Sequence, residues 1–119
     1  MNGEELRSYC LSKKEVTENL PFDEVSPVYK VGGKIFLICS IDASPVSFNV
    51  KCDPARATDL RERYPCVRPG FHMNKQHWNT VIADGSVSDS MIRQWIDDSY
   101  LLVLSSLTKK ERQRIDSES

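Results

Sequence analysis

Two adjacent glycines, Gly32 and Gly33, stand between β-prone runs at residues 25–31 and 34–41, and this pair constrains the fold more than any other feature. Neighbouring glycines supply positive φ at both central positions of a two-residue turn, the geometry that joins antiparallel strands tightly. A parallel pair would need a crossover of a dozen residues or more, and two glycines leave no room for one. The sheet that grows from this hairpin is therefore predicted to be antiparallel.

The strand after the hairpin carries Ile35, Leu37, Cys39 and Ile41 on one face and Phe36, Ile38 and Ser40 on the other. Apolar residues on both faces predict a central strand. After a turn at residues 42–45, Val46, Phe48 and Val50 alternate with Ser47, Asn49 and Lys51, the pattern of a half-buried strand. Two more strands are predicted around residues 67–73 and 78–83.

Helices fill the remaining stretches. Asn2 and Glu5 have capping-box spacing at the head of a helix over residues 3–13, with Leu6, Tyr9 and Cys10 sharing a face. Residues 17–23 read as a linker whose Leu20, Pro21 and Phe22 tuck back onto the core. Asp53-Pro54 starts a short helix that Tyr64-Pro65 ends, since proline is tolerated where a helical N–H would be unpaired anyway. The strongest helix spans residues 87–107, capped by Ser86 with Asp89, with Met91, Ile92, Trp95, Ile96, Leu102 and Val103 on its apolar face. Beyond Thr108 the chain is either a charged helical extension or a frayed tail. The predicted class is thus α+β, α-β-β-β-α-β-β-α, a single antiparallel sheet with helices packed against it. One domain covers residues 1–107, with a charged extension at 108–119.

At 119 residues and 39% hydrophobic, the chain can bury a core without metal or disulfide staples. No stretch approaches the roughly 20 apolar residues of a membrane span, and none has a signal-peptide pattern, so a cytoplasmic location without membrane partners is expected. Cys10, Cys39, Cys52 and Cys66 form no C-x-x-C pair, which predicts reduced thiols, with Cys39 a small buried hydrophobe. The net charge is −1, less basic than usual for a protein that clamps duplex DNA by charge alone. The charge is uneven, however. Residues 51–77 carry six cations against three acids, a local +3, and residues 1–25 carry three against six.

The densest unusual segment, residues 67–81, holds both histidines together with Arg68, Lys75, Asn74, Asn79 and Trp78. One reading is a structural lock, with Trp78 in the core and Asn74, Asn79 and the histidines bonding backbone. The other is a surface for phosphate or another polar ligand built from Arg68, His72, Lys75 and His77. Cys66, His72 and His77 are metal-ligand types at spacings of six and five, but a structural zinc site takes four ligands and usually tighter pairs, so no metal is expected. Cys66 with either histidine lacks the activating context of a nucleophile and base. Asp97 and Asp98 point about 100° apart on a helix and read as a solvated face. No catalytic residue and no cofactor is expected. Lys30 and Lys34, and the tail cluster of Lys109, Lys110, Arg112 and Arg114, are further cations that can meet nucleic acid.

Several segments together resemble the MmcQ/YjbR-like family of small bacterial proteins: residues 6–10, Leu20-Pro21-Phe22, residues 30–36, the stretch Pro69-Gly70-Phe71-His72-Met73-Asn74-Lys75-Gln76-His77-Trp78, and residues 92–100 with Trp95 and Asp98. The resemblance implies a CyaY-like, or secretion-chaperone-like, α+β domain. It also implies DNA binding, with strand hairpins acting as a pair of wings; this directs attention to Lys30 and Lys34 and to residues 68–77. Similarity to the frataxin fold does not bring iron chemistry, because function must be argued from a site. The expectation is a non-enzymatic binding protein whose partner is DNA, a monomer or weak homodimer. The alternatives are a protein-interaction or chaperone-like module, or an unrecognised small-ligand protein or enzyme.

Overall fold

The computed structural model describes residues 1–117. Its elements are α1 (Gly3–Leu11), β1 (Val16–Asn19), β2 (Val28–Val31), β3 (Lys34–Ser40), β4 (Ser47–Lys51), α2 (Pro54–Arg63), β5 (Val67–Pro69), β6 (Trp78–Ile82), α3 (Asp89–Ser105) and α4 (Lys109–Ser117). Gly32 and Gly33 adopt φ of +57° and +78° and turn β2 into β3, as the sequence requires. All pairings are antiparallel, in the order β1-β2-β3-β4-β6-β5, and the helices contribute to one core against the sheet.

Residues 17–23 are not simply a linker, because β1 adds an edge strand there that the sequence reading missed. Glu18 disguises it. Its carboxylate accepts the Tyr29 hydroxyl at 2.8 Å and the Arg7 guanidinium at 2.9 Å, so an acidic residue sits on the sheet fully partnered. The predicted tucking of Leu20 and Phe22 is also overturned: they are 52% and 67% exposed.

Strict alternation along β3 fails for a local reason. Tyr29 faces Leu37 while Lys30 faces Ile35, so Phe36 is the extra residue of a bulge and both Phe36 and Leu37 are buried. Ser99 of α3 stitches this region together. Its hydroxyl donates to the Phe36 carbonyl at 2.6 Å and accepts the Lys51 N–H at 2.8 Å. Around it Ile92, Trp95, Ile96, Tyr100 and Val103 bury a helical face at i, i+3, i+4, i+8 and i+11. The cap of α3 is Ser88, which accepts the Met91 N–H, and not the predicted Ser86.

The tail is helical through Ser117, and residues 118–119 lie outside the described residues. Ile115 is buried and Arg114 reaches Glu15 at 3.3 Å, which docks α4 onto the body of the domain. All four cysteines are free and buried. Among the described residues, no helix is long and apolar enough to cross a membrane.

This arrangement leaves one sheet face without helices. Phe48, Val50, Asn79 and Val81 point to the core, so the alternate residues Ile38, Ser47, Asn49, Lys51, Thr80 and Ile82 face the other way and are only partly covered.

Candidate functional site

Arg61, in the last turn of α2, divides the unusual segment into two parts. Its Nε donates to the buried Asn79 Oδ1 at 2.6 Å, and its terminal nitrogen donates to the carbonyls of Trp78, at 3.2 Å, and Lys75. Asn79 in turn donates to the Ala57 carbonyl. Lys75 Nζ reaches back to the Gly70 carbonyl at 3.2 Å, and Asn74 Oδ1 accepts the Gln76 N–H. Gly70 is required here because a Cβ would lie 2.8 Å from that of Trp78. This side of the segment is the structural lock, with one correction: Trp78 is half-buried on the helix-free face, opposite Lys51, and not in the core.

The other side is held over the helix-free face by a closed ring of hydrogen bonds. The Asn49 amide donates to the Phe71 carbonyl at 3.3 Å, the Phe71 N–H donates to Thr80 Oγ1 at 2.9 Å, and the Thr80 hydroxyl donates to Asn49 Oδ1. This ring fixes a turn in which His72 takes φ +59°, a left-handed conformation that costs a non-glycine residue about 1–2 kcal/mol. The turn presents Phe71, 67% exposed, with the His72 ring against it at a centroid distance of 4.0 Å. Beneath lies a groove in two overlapping halves. One, of about 420 Å³, is bordered by Arg68, Ser44, Ser47 and Ile82; the other, of about 440 Å³, by Phe22, His72 and Met73. Ile38, Ser40, Asn49 and Phe71 line both, and no carboxylate of the described residues lines either.

Of the six predicted site residues, only Arg68 and His72 border this groove. Arg68 is exposed on β5 with no side-chain partner among the described residues. Lys75 is committed to Gly70. His77 is half-buried, and its backbone N–H bonds the Asn74 carbonyl. Lys30 lies on β2, four strand positions from Arg68, or roughly 19 Å at the usual spacing. Lys34 Nζ lies 3.5 Å from Ser106, and the turn behind it packs on Leu107. The hairpin is therefore an interior part of the sheet, flanked by β1 and backed by the end of α3.

The local +3 is similarly consumed. Arg56 pairs with Asp98 at 3.5 Å and Arg63 with Asp59 at 3.1 Å, while Arg61 sits on carbonyls. Of its six cations only Lys51 and Arg68 have side chains that make no hydrogen bond or ion pair among the described residues. Asp97 and Asp98 diverge as predicted, but they are bridges and not a solvated face. Asp97 accepts the Tyr9 hydroxyl at 2.6 Å and Lys13 Nζ, joining α1 to α3. Burial, reinforced by that bond, pushes the Tyr9 hydroxyl up to about 12. Among the described residues no three His, Cys, Asp or Glu side chains gather into a group able to hold a metal. Sequence reasoning missed Phe22 and Phe71 as site residues and Arg61 as the residue that positions the loop. An exposed phenylalanine looks like core in a sequence, and an arginine whose partners are carbonyl oxygens has no acidic partner to betray it.

Phe22, Phe71, His72 and Met73, which border the groove, come from segments that carried the family resemblance, whereas Arg68 and the groove residues of β3 and β4 lie outside them. Residues 11–102 match the model of the family described as YjbR. The chain belongs to the YjbR family. Within it, the chain is 37% identical to the uncharacterized protein YbdF of Escherichia coli O157:H7, over 80% of this chain and 78% of that one. It is 32% identical to the uncharacterized protein YjbR of Escherichia coli K12, over 94% and 95%. A crystal structure of the Deinococcus radiodurans protein DR2400, whose domain is designated DUF419, superposes with a TM-score of 0.91 at 35% identity, covering 97% of this chain and 88% of that one. The fold is thus shared across nearly the whole chain.

Proposed function

We propose that this YjbR-family protein is a non-enzymatic binding protein, and that its ligand is single-stranded nucleic acid laid across the helix-free face of the sheet. One observation carries the reading: Phe71 and His72 are presented, in ring contact and exposed, beside an Arg68 without a side-chain partner, over a groove that no carboxylate of the described residues lines. Folding alone does not account for that loop, because an exposed phenylalanine and a left-handed histidine both work against stability. Bases stack on exposed aromatic rings for about 1–3 kcal/mol each, and arginine pairs with phosphate. Duplex DNA fits less well. Clamping it takes many phosphate contacts, and most of the local cations already hold protein groups.

Fluorescence anisotropy with labelled single-stranded and duplex oligonucleotides over a salt series tests this. The single strand should bind more tightly than the duplex, with a shallow log–log salt slope of about −1, as one or two phosphate contacts give. Phe71→Ala should weaken it about tenfold, equivalent to about 1.4 kcal/mol. Equal binding of the duplex with a steep slope, or no binding at low salt, defeats the reading. The apolar rim formed by Leu20 and Phe22 favours a second reading, a protein-interaction or chaperone-like module. A protein partner that survives nuclease treatment and is lost with Phe22→Ser would favour it over the first.

A further inference from the structure

The two halves of the groove differ in chemistry, and the difference matches the two ends of one nucleotide. The half beside Arg68 offers a guanidinium together with the hydroxyls of Ser40, Ser44 and Ser47, none of which has a side-chain partner among the described residues. The half beside Phe22 offers aromatic surface: Phe22 and Phe71, each 67% exposed, and the His72 ring against Phe71. Ile38, Ser40, Asn49 and Phe71 line both halves, which are therefore adjacent. Each half, at about 420 and about 440 Å³, is within the range of about 300–1,000 Å³ typical of small-molecule sites.

We infer that the groove is a mononucleotide-binding site, with the phosphate on Arg68 and the serine hydroxyls and the base against Phe71 and His72. A free nucleoside monophosphate is then a ligand in its own right, and not merely one link of a strand. The inference rests on the nucleic-acid reading above and sharpens it from a surface to a site of one unit. Charge complementarity supports the phosphate end: among the described residues the guanidinium has no partner and no carboxylate lines the groove, which favours an anion. The loop geometry supports the base end. The Asn49–Thr80–Phe71 ring of hydrogen bonds holds the aromatic pair in place before any ligand arrives, which lowers the ordering cost of binding.

Calorimetric titration of the full chain with a nucleoside monophosphate, the matching nucleoside, inorganic phosphate and a single-stranded oligonucleotide tests this. The monophosphate should bind, and the nucleoside at least tenfold more weakly. Arg68→Gln should narrow the gap between the two by weakening the monophosphate and leaving the nucleoside unchanged, because it removes a contact that only the phosphate makes. Phe71→Ala should weaken both by a similar factor. Amide shifts on titration should concentrate at Ser40, Asn49 and Phe71. Both side chains are exposed, so thermal unfolding of the variants should match that of the parent chain. If the oligonucleotide binds and the monophosphate does not, the one-unit site is wrong while the strand-binding reading stands. If neither binds, both fall. Equal affinity for nucleoside and monophosphate in the parent chain removes the phosphate end, and equal affinity for inorganic phosphate and monophosphate removes the base end.

Discussion

Replacing Arg61 by alanine removes a side chain that makes no contact with a carboxylate in any salt bridge of the described residues, yet it should be among the costliest changes on the surface of α2. The magnitude can be worked from its three acceptors. The Lys75 carbonyl is exposed, so water takes over there at almost no cost. The Trp78 carbonyl keeps the Gly70 N–H at 2.9 Å, which leaves Asn79 Oδ1, accepting at 2.6 Å on a residue only 1% exposed, as the buried acceptor that loses its donor. A buried acceptor left without its donor costs about 1–3 kcal/mol, and a bond from a charged donor lies toward the upper end. Arg61→Ala should therefore destabilise the domain by about 2–3 kcal/mol, which at this length lowers the midpoint of thermal unfolding by about 8–12 °C. Lysine should recover less than half of this, since an ammonium keeps the charge but cannot reproduce the guanidinium fork. Asn79→Ala combined with Arg61→Ala should cost less than the sum of the two, because one hydrogen bond is counted in both.

Thermal unfolding by circular dichroism measures the stability loss, and hydrogen exchange locates it. The N–H groups of Met73 and His77, bonded to Gly70 and Asn74 at 3.2 Å, should lose protection in Arg61→Ala, while those of β3 keep theirs relative to global stability. A loss below about 0.5 kcal/mol, the usual scale of an exposed substitution, would refute the lock, as would full rescue by lysine.

Three other outcomes follow from particular contacts. His72→Gly should leave stability unchanged or raise it by up to about 1 kcal/mol, since glycine adopts φ +59° freely, while oligonucleotide affinity drops; a marked fall in unfolding temperature would contradict this. Gly32→Ala should be more damaging than Gly33→Ala in denaturant titration, because its Cβ would lie 2.6 Å from Leu107 Cδ1 whereas nothing is within 4 Å of the other; the reverse order would overturn the packing of the hairpin on α3. Alkaline pH should destabilise the domain through its buried protons. Burial holds the Cys10 and Cys39 thiols near about 12, against an ordinary value of 9.0. Below about pH 9 both folded and unfolded chains keep these protons and stability is level; above it the unfolded chain releases them first, so stability falls progressively toward about pH 12. Urea midpoints that stay level across that window would remove the burial argument.

The parts of this fold that were legible in the sequence are those decided by local chemistry. Gly32-Gly33 demanded a tight hairpin, Asn2 with Glu5 demanded a capped helix, and Asp53-Pro54 demanded another, because each depends on backbone geometry within a few residues. What escaped was decided by partners distant in the chain. Glu18 makes β1 acceptable only because Tyr29 and Arg7 meet it, and Phe36 faces the core only because a bulge opposite Tyr29 turns it there. The charge count of residues 51–77 misled for the same reason, since whether an arginine is free is a property of its surroundings. The candidate site inverts this relation. Phe22, Phe71 and His72 are poorly accounted for by either local rules or packing, being apolar yet exposed in two cases and left-handed without glycine in the third. Asn49 and Thr80, in contrast, are accounted for, since their side chains bond the Phe71 backbone and each other, while Arg61 fixes the adjoining stretch through Asn79 and the carbonyls of Lys75 and Trp78. Two partnered polar side chains thus hold a pair of exposed, mutually packed rings whose exposure folding does not require, and the proposed binding surface is where that arrangement would act.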